Sequence, residues 1–156
     1  MRRIDREIIN FDEVIDVLRR ADTIRLGLHG ESFPYVVPLS YGFEVCDDKI
    51  LLYFHGANVG YKHDLIVENP CVCVETDIFH RYAEVSPDSF TVEYESFIGF
   101  GRVEQVLDEE AAKGMSLLLL HCGFSSYPYN RSALESTAVY RITVDSFTGK
   151  RRFINR

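Results

Sequence analysis

The sequence contains no tryptophan and only two methionines, and none of its apolar stretches approaches the roughly 18 residues that a membrane-spanning helix needs. A secretory signal peptide is also missing, because the charged start Met1–Glu7 is not followed by an apolar segment. We therefore expect a cytoplasmic protein that has no membrane partner.

Positive charge is scarce as well. The 156 residues include 17 Lys and Arg against 24 Asp and Glu, which gives a formal net charge of −7. Nucleic acids attract proteins that carry a clustered positive field, so a nucleic-acid partner is not expected. Hydrophobic residues make up 46% of the chain, an ordinary share for a globular protein. One domain over residues 1–156 is the expected organisation.

The four cysteines do not form the Cys-x-x-Cys spacing of a zinc site or a redox dithiol. We expect free thiols in the core, because free cysteine is among the most buried residue types. Cys71 and Cys73 are two residues apart, so on a strand they would share one face. The histidines also lack the spacing of metal ligands, and no metal site is predicted.

The periodicity of apolar residues predicts a mainly β, α+β chain. Helices are expected at about 11–20, 60–69 and 108–121, with strands at 23–28, 33–43, 49–55, 71–76, 90–106 and 138–144. Residues 79–89 and 123–130 are expected to be loops, and residues 132–135 one turn of helix. Serial strands without crossover helices favour a small antiparallel barrel over a parallel sheet.

Two segments carry the features of a ligand site. Gly60 allows a close approach of the backbone to a phosphate, and the helix that follows presents free N–H groups beside the Lys62 charge. Pro38 cannot donate a hydrogen bond within a sheet, so its strand is expected at an edge or a bulge. The alternatives are a solvated lysine and an edge strand without a ligand.

These segments resemble a known family over nearly the whole chain. The stretches are Pro34-Tyr35-Val36-Val37-Pro38-Leu39-Ser40-Tyr41, Leu52-Tyr53-Phe54-His55-Gly56, Gly60-Tyr61-Lys62-His63-Asp64-Leu65 and Asn69-Pro70, with Arg2-Arg3-x-Asp5-Arg6-Glu7 and Phe147-Thr148-Gly149-Lys150 at the two ends. They resemble the FMN-binding region of the pyridoxamine 5'-phosphate oxidase-like superfamily, and within it the 5-nitroimidazole resistance (Nim) branch.

The resemblance implies a split β-barrel that binds flavin mononucleotide (FMN), or FAD, at the interface of a homodimer. It implies an FMN-dependent oxidoreductase that reduces small electron-poor molecules such as nitroaromatics, with His55 as the catalytic proton donor. The cofactor-binding residues would be Val37, Pro38, Leu39, Ser40, Phe54, His55, Gly60, Tyr61, Lys62, Lys150 and Arg152. The basic run that contains the last two is either a solvated tail or reaches across the dimer toward the flavin.

Other functions remain open at this stage. A flavin-binding redox module without turnover and a haem-binding or haem-degrading protein could share the same barrel. Vitamin B6 synthesis is not expected, because Tyr61 replaces the arginine that the true pyridoxamine phosphate oxidases carry beside the phosphate. Their basic C-terminal substrate-binding motif also has no counterpart in this chain.

Overall fold

The computed structural model describes residues 2–124 and 137–154. The described part contains eight strands, three α-helices and a short 3-10 helix over Ile4–Arg6. In chain order these are β1 (Glu7–Ile8), α1 (Phe11–Arg20), β2 (Ile24–Leu28), β3 (Tyr35–Leu39), β4 (Gly42–Cys46), β5 (Lys49–Ala57), α2 (Tyr61–Glu68), β6 (Cys71–Ser86), β7 (Ser89–Val106), α3 (Asp108–His121) and β8 (Thr137–Arg152). None of these helices has the length and apolar character needed to cross a bilayer.

The strands form one antiparallel sheet in the order β3-β2-β6-β7-β8-β5-β4, and β1 pairs with β8 outside this path. The two edge strands, β3 and β4, are not paired with each other, yet only Ser40 and Tyr41 connect them. Two residues span less than about 11 Å between their flanking Cα atoms, so the sheet must curl until its edges are neighbours. The result is an open barrel, which confirms the predicted split β-barrel class.

The inside of the curled sheet holds the core. Its largest fully buried side chains include Tyr41, Phe54, Phe97 and Tyr140. Helix α1 packs against this core through Val14, Ile15, Val17 and Leu18. Asn10 caps the start of the helix, because its side chain accepts hydrogen bonds from the backbone N–H groups of residues 12 and 13. The predicted helix over residues 11–20 is confirmed at both ends.

Two strand predictions were wrong in extent. Residues 33–43 form β3 and β4 rather than one strand, because the chain passes from one sheet edge to the other at Ser40. Residues 79–89 are not a loop. They continue β6 and β7 into a long hairpin that turns after Ser86, with register shifts between Phe79 and Arg81 and between Glu84 and Ser86. Such irregularities break the alternation of polar and apolar residues by which a strand is recognised.

The cysteines were also placed wrongly. Cys46 and Cys122 are exposed, and Cys71 and Cys73 are half-buried. Cys71 and Cys73 share one face of the strand as predicted, but it is the outer face of the sheet. The core side is occupied by Val72 and Val74, which alternate with the two cysteines and are buried. The predicted one-turn helix at 132–135 and most of the predicted loop at 123–130 lie outside the described residues.

Candidate functional site

The first half of the candidate site is the α2 corner, which comprises His55, Gly56, Gly60, Tyr61 and Lys62. Gly60 precedes the helix with φ 114° and ψ 171°, a conformation that is essentially restricted to glycine. No side chain among the described residues caps this helix, and a Cβ on Gly60 would meet no atom within 4 Å. The N-terminal N–H groups of α2 therefore face an open approach, as an anion site requires.

Lys62 places its charge at this helix start. Its Nζ lies 5.4 Å from the centre of the Phe54 ring, within the range of a cation–π interaction. The same Nζ is 2.5 Å from the position that a Cβ on Gly56 would occupy, so the absence of a side chain at 56 makes room for it. Burial lowers the pKa of Lys62, because the ammonium group has lost part of its hydration. A bound anion would compensate that loss.

His55 follows Phe54 on β5 and pairs with Val139 across the sheet. Although the residue is exposed, the surrounding protein lowers its pKa, first through desolvation and then through the charge of Lys62. The imidazole is therefore mainly neutral at pH 7. A neutral imidazole still donates one N–H hydrogen bond, and it carries a transferable proton in a larger share of molecules as the pH falls.

Tyr140 on β8 contacts the residues next to the α2 corner on both β5 and α2. Its ring is buried and stacks on Phe54 with 5.0 Å between the centres and 15° between the planes. Its hydroxyl lies 2.8 Å from Nδ1 of His63, which is the residue after Lys62 on α2. Tyr140 thus holds both Phe54 and the first turn of α2. The sequence indicated only that it belongs to a strand, since a contact across 77 residues has no local signal.

The edge strand β3 meets the corner at its first residue. The rings of Tyr35 and Tyr61 contact each other edge to face, with 5.2 Å between their centres. Beyond that point Val37 and Leu39 turn their side chains toward the core, whereas Pro38 and Ser40 are exposed. The structure therefore brings β3 and the α2 corner together, and Val37 and Leu39 can contact a ligand outside the core only through their backbone.

The second half of the site is a groove on the outer face of the sheet, with a volume of about 680 Å³. This outer groove has a mainly apolar lining from strands β2, β3, β6 and β7 and from the loop after β2, including Gly27, Phe33, Val36, Cys73 and Phe100. Its size is that of a pocket for a small organic ligand. Phe33 and Pro34 also line a smaller depression with Tyr35 and Tyr61, so the groove continues to the corner.

The sequence did not reveal the outer groove. The alternation in β6 showed that Cys71 and Cys73 share a face. Because that face was assigned to the core, the groove that these residues line on the outside was not predicted. Phe100 lies within the predicted strand 90–106, and its 55% exposure is what now distinguishes it.

Lys150 and Arg152 lie elsewhere in the chain. They belong to the end of β8 rather than to a tail, and β8 reaches the corner only near Val139, thirteen residues before Arg152. That separation corresponds to roughly 40 Å of extended strand. The Nζ of Lys150 lies 5.7 Å from the Tyr94 ring centre. Arg152 lines a basic pocket with Arg3, Arg6, Arg151, Asp5 and Phe153. Within a single chain, Lys150 and Arg152 therefore do not reach the α2 corner.

No group of three or more metal-binding side chains is found within residues 2–124 and 137–154. Two histidines outside the α2 corner make structural contacts instead. Nε2 of His80 lies 2.9 Å from a carboxylate oxygen of Glu95, and Nε2 of His121 lies 2.8 Å from the carbonyl oxygen of Ala21.

Comparison with known families identifies the chain. Residues 10–151 match the model of a family described as pyridoxamine 5'-phosphate oxidase. None of the curated proteins compared with this chain is significantly similar to it in sequence.

Several solved structures have the same fold. One is a protein from Bacteroides thetaiotaomicron assigned to 5-nitroimidazole antibiotic resistance, which is 27% identical with a TM-score of 0.81, over 92% of this chain and 85% of that one. A flavocytochrome from Azotobacter vinelandii is 19% identical with a TM-score of 0.78, over 99% and 72%. An FAD-binding protein from Mesorhizobium loti is 23% identical with a TM-score of 0.67, over 93% and 96%. The predicted family resemblance is confirmed.

Proposed function

Because the chain belongs to the pyridoxamine 5'-phosphate oxidase family, we propose that it binds a flavin nucleotide and uses it to reduce small electron-poor molecules such as nitroaromatics. FMN is the expected cofactor, and FAD is the alternative. Similarity to the Bacteroides protein assigned to nitroimidazole resistance supports this choice of substrate class.

The observation that carries the proposal is the α2 corner. Lys62 is the second residue of the uncapped helix α2, its Nζ is partly desolvated beside Phe54 and Gly56, and a Cβ on Gly60 would meet no atom within 4 Å. A phosphate monoester carries two negative charges and accepts several hydrogen bonds, which matches this set of donors. Tyr61 and Gly60 would shape the phosphate site, and Lys62 would neutralise it.

The outer groove supports the second part of the proposal, because an isoalloxazine ring needs a flat, mainly apolar surface with a few polar groups. Val36 of the edge strand lines the groove and Tyr35 contacts the corner; Val37, Pro38 and Leu39 continue the same strand, and Ser40 follows it. Their backbone groups would contact the polar rim of the ring.

His55 is the proposed proton donor at this site. Bound flavin would supply the two-electron reduction, while His55 would deliver a proton to the reduced substrate from the end of β5. The lowered pKa of His55 moves protonation of the imidazole to a lower pH than is usual for histidine, so we expect turnover to rise as the pH falls below about 7.

A homodimer is part of the proposal. The outer face of the sheet exposes Val36, Ile98 and Phe100. Such a continuous apolar surface is typical of an interface. A second chain packed there would cover the outer groove and could bring its Lys150 and Arg152 to the phosphate side of the flavin.

The test is the visible spectrum of the purified protein, followed by mass identification of the released ligand. Flavin absorbance bands and FMN in the extract are the expected result. A Soret band would instead identify a haem protein and contradict the proposal. Turnover is then measured with a nitroimidazole and a reduced pyridine nucleotide or reduced ferredoxin as electron donor. A flavin-loaded protein that reduces none of these substrates would be a redox module without this activity.

A further inference from the structure

The basic pocket has no role in the proposed flavin site of a single chain. It is about 520 Å³ in volume and combines the two ends of the sequence, because β1 pairs Glu7 with Lys150 and Ile8 with Gly149. Four arginines line it: Arg3, Arg6, Arg151 and Arg152. In a chain with a net charge of −7, this is a strong local concentration of positive charge.

Only two carboxylates, those of Asp5 and Glu13, pair with these four arginines, so two positive charges are left unbalanced. Arg3 forms a bidentate pair with Asp5, at 2.7 and 2.5 Å, and Arg151 lies 3.0 Å from Glu13. The pairing with Arg3 lowers the pKa of Asp5 to about 2, so this carboxylate is already committed to Arg3.

Arg6 shares Asp5 with Arg3 at a longer distance, and Arg152 has no carboxylate partner among the described residues. The side chain of Arg6 is only 17% exposed, and the carboxylate recorded near it is Asp5 at 4.0 Å. Arg152 has no carboxylate oxygen within 4.0 Å among the described residues. A largely buried guanidinium without a close counterion is unfavourable, and it is stabilised when an anion enters.

We propose that the basic pocket is a binding site for a phosphorylated small molecule other than the flavin. It is the alternative to a contact of Arg152 with the flavin of a partner chain, and titration of FMN-saturated protein distinguishes the two. Guanidinium groups bind phosphoryl oxygens through pairs of parallel hydrogen bonds, and the two positive charges that Asp5 and Glu13 leave unbalanced match a group with two or more negative charges. Phe153 provides an apolar edge beside the charges, where the rest of such a ligand can pack.

Inorganic pyrophosphate is the probe for this site. Calorimetric titration of the full chain at low salt is expected to show one pyrophosphate per chain, with an affinity that falls steeply as salt is added. The Arg6→Gln variant should bind roughly tenfold more weakly or worse, because a charge-assisted hydrogen bond is lost. Arg3→Gln should also weaken binding, since it frees Asp5 to pair with Arg6. Arg3 is exposed, so this second variant is expected to fold even if Arg6→Gln does not.

Arg19→Gln is the matched control. Arg19 is an exposed arginine on α1 that pairs with Asp16 and does not line the basic pocket, so pyrophosphate should bind this variant as it binds the unchanged protein. Equal binding by all four proteins, or no saturable binding, would refute the proposal.

Titrations are repeated with FMN-saturated protein. Loss of pyrophosphate binding there would mean that the pocket holds the flavin phosphate, which would also refute a separate site. Because the first titrations need no flavin, their outcome does not depend on the proposed function.

Discussion

The α2 corner and the basic pocket lie toward opposite ends of β8, and they handle positive charge in different ways. The corner has one lysine, whose pKa is lowered by burial and whose charge lies over the Phe54 ring. The basic pocket has four arginines, which pair with only two carboxylates, those of Asp5 and Glu13. Arginine stays charged under all ordinary conditions, whereas a desolvated lysine is a compact charge that an incoming anion can stabilise strongly. The α2 corner is therefore suited to one specific anion that compensates its desolvated lysine. The basic pocket presents arginines that stay charged whether or not an anion is bound.

The largest expected effect tests whether the corner depends on its single charge. Lys62→Met keeps the length of the side chain and removes the ammonium group, so flavin affinity should fall about tenfold to a hundredfold, or about 1.5–3 kcal/mol. Fluorescence titration of flavin-free protein with FMN measures this. Lys49→Met, at an exposed position at the start of β5, is the control and should bind FMN normally. Equal affinity of the two variants would show that the corner does not hold the phosphate.

The next effect concerns the backbone that opens the corner. Gly60→Ala forces an L side chain into φ 114° and ψ 171°, which should lower the free energy of unfolding by about 1–3 kcal/mol. Urea denaturation measures the change. Val59→Ala next to it removes methyl groups from a side chain that is 79% exposed, so it should change stability by less than about 0.5 kcal/mol. If Gly60→Ala is as stable as Val59→Ala, the strain inferred at residue 60 is wrong.

The smallest effect is a pH dependence that only the corner should show. The pKa of His55 in the folded chain lies below its ordinary value of 6.5, so the unfolded chain binds more protons at low pH. Stability contributed by neutral His55 is therefore present above about pH 6.5 and is lost as the pH falls below it. Denaturation midpoints of the wild type and His55→Gln, compared between pH 5 and 8, measure this loss. The wild type should lose more stability toward pH 5 than the variant. Parallel pH profiles would contradict the direction of the shift.

The sequence predicted the parts of this molecule that have a local signal. Helices α1 and α3 begin and end where periodicity and capping placed them, and α2 differs by one residue at each end. The location of Lys62 at a helix start and of Pro38 on an edge strand also followed from local rules, because proline and glycine limit the backbone directly.

What the sequence could not reveal depends on contacts between distant segments. The basic pocket exists because a two-residue strand near the start pairs with the last strand, and no pattern in either segment indicates that pairing. The outer groove has a similar origin, because β2, β3, β6 and β7 contribute to it from separate parts of the chain. The extended β6–β7 hairpin was missed for a different reason, since its register shifts hide the strand periodicity.

The connector between the two sheet edges has a mechanical consequence. Tyr41, one of its two residues, is fully buried, and its hydroxyl donates to the backbone carbonyl oxygens of Leu18 at 2.6 Å and Ala21 at 3.2 Å. No backbone hydrogen bonds pair β3 with β4. The hydrogen bonds of the Tyr41 hydroxyl to the end of α1 therefore help to limit the distance between these two edge strands. The connector between β3 and β4 is therefore anchored to the end of α1, and a shift of α1 would be transmitted to the edge strand that begins at Tyr35.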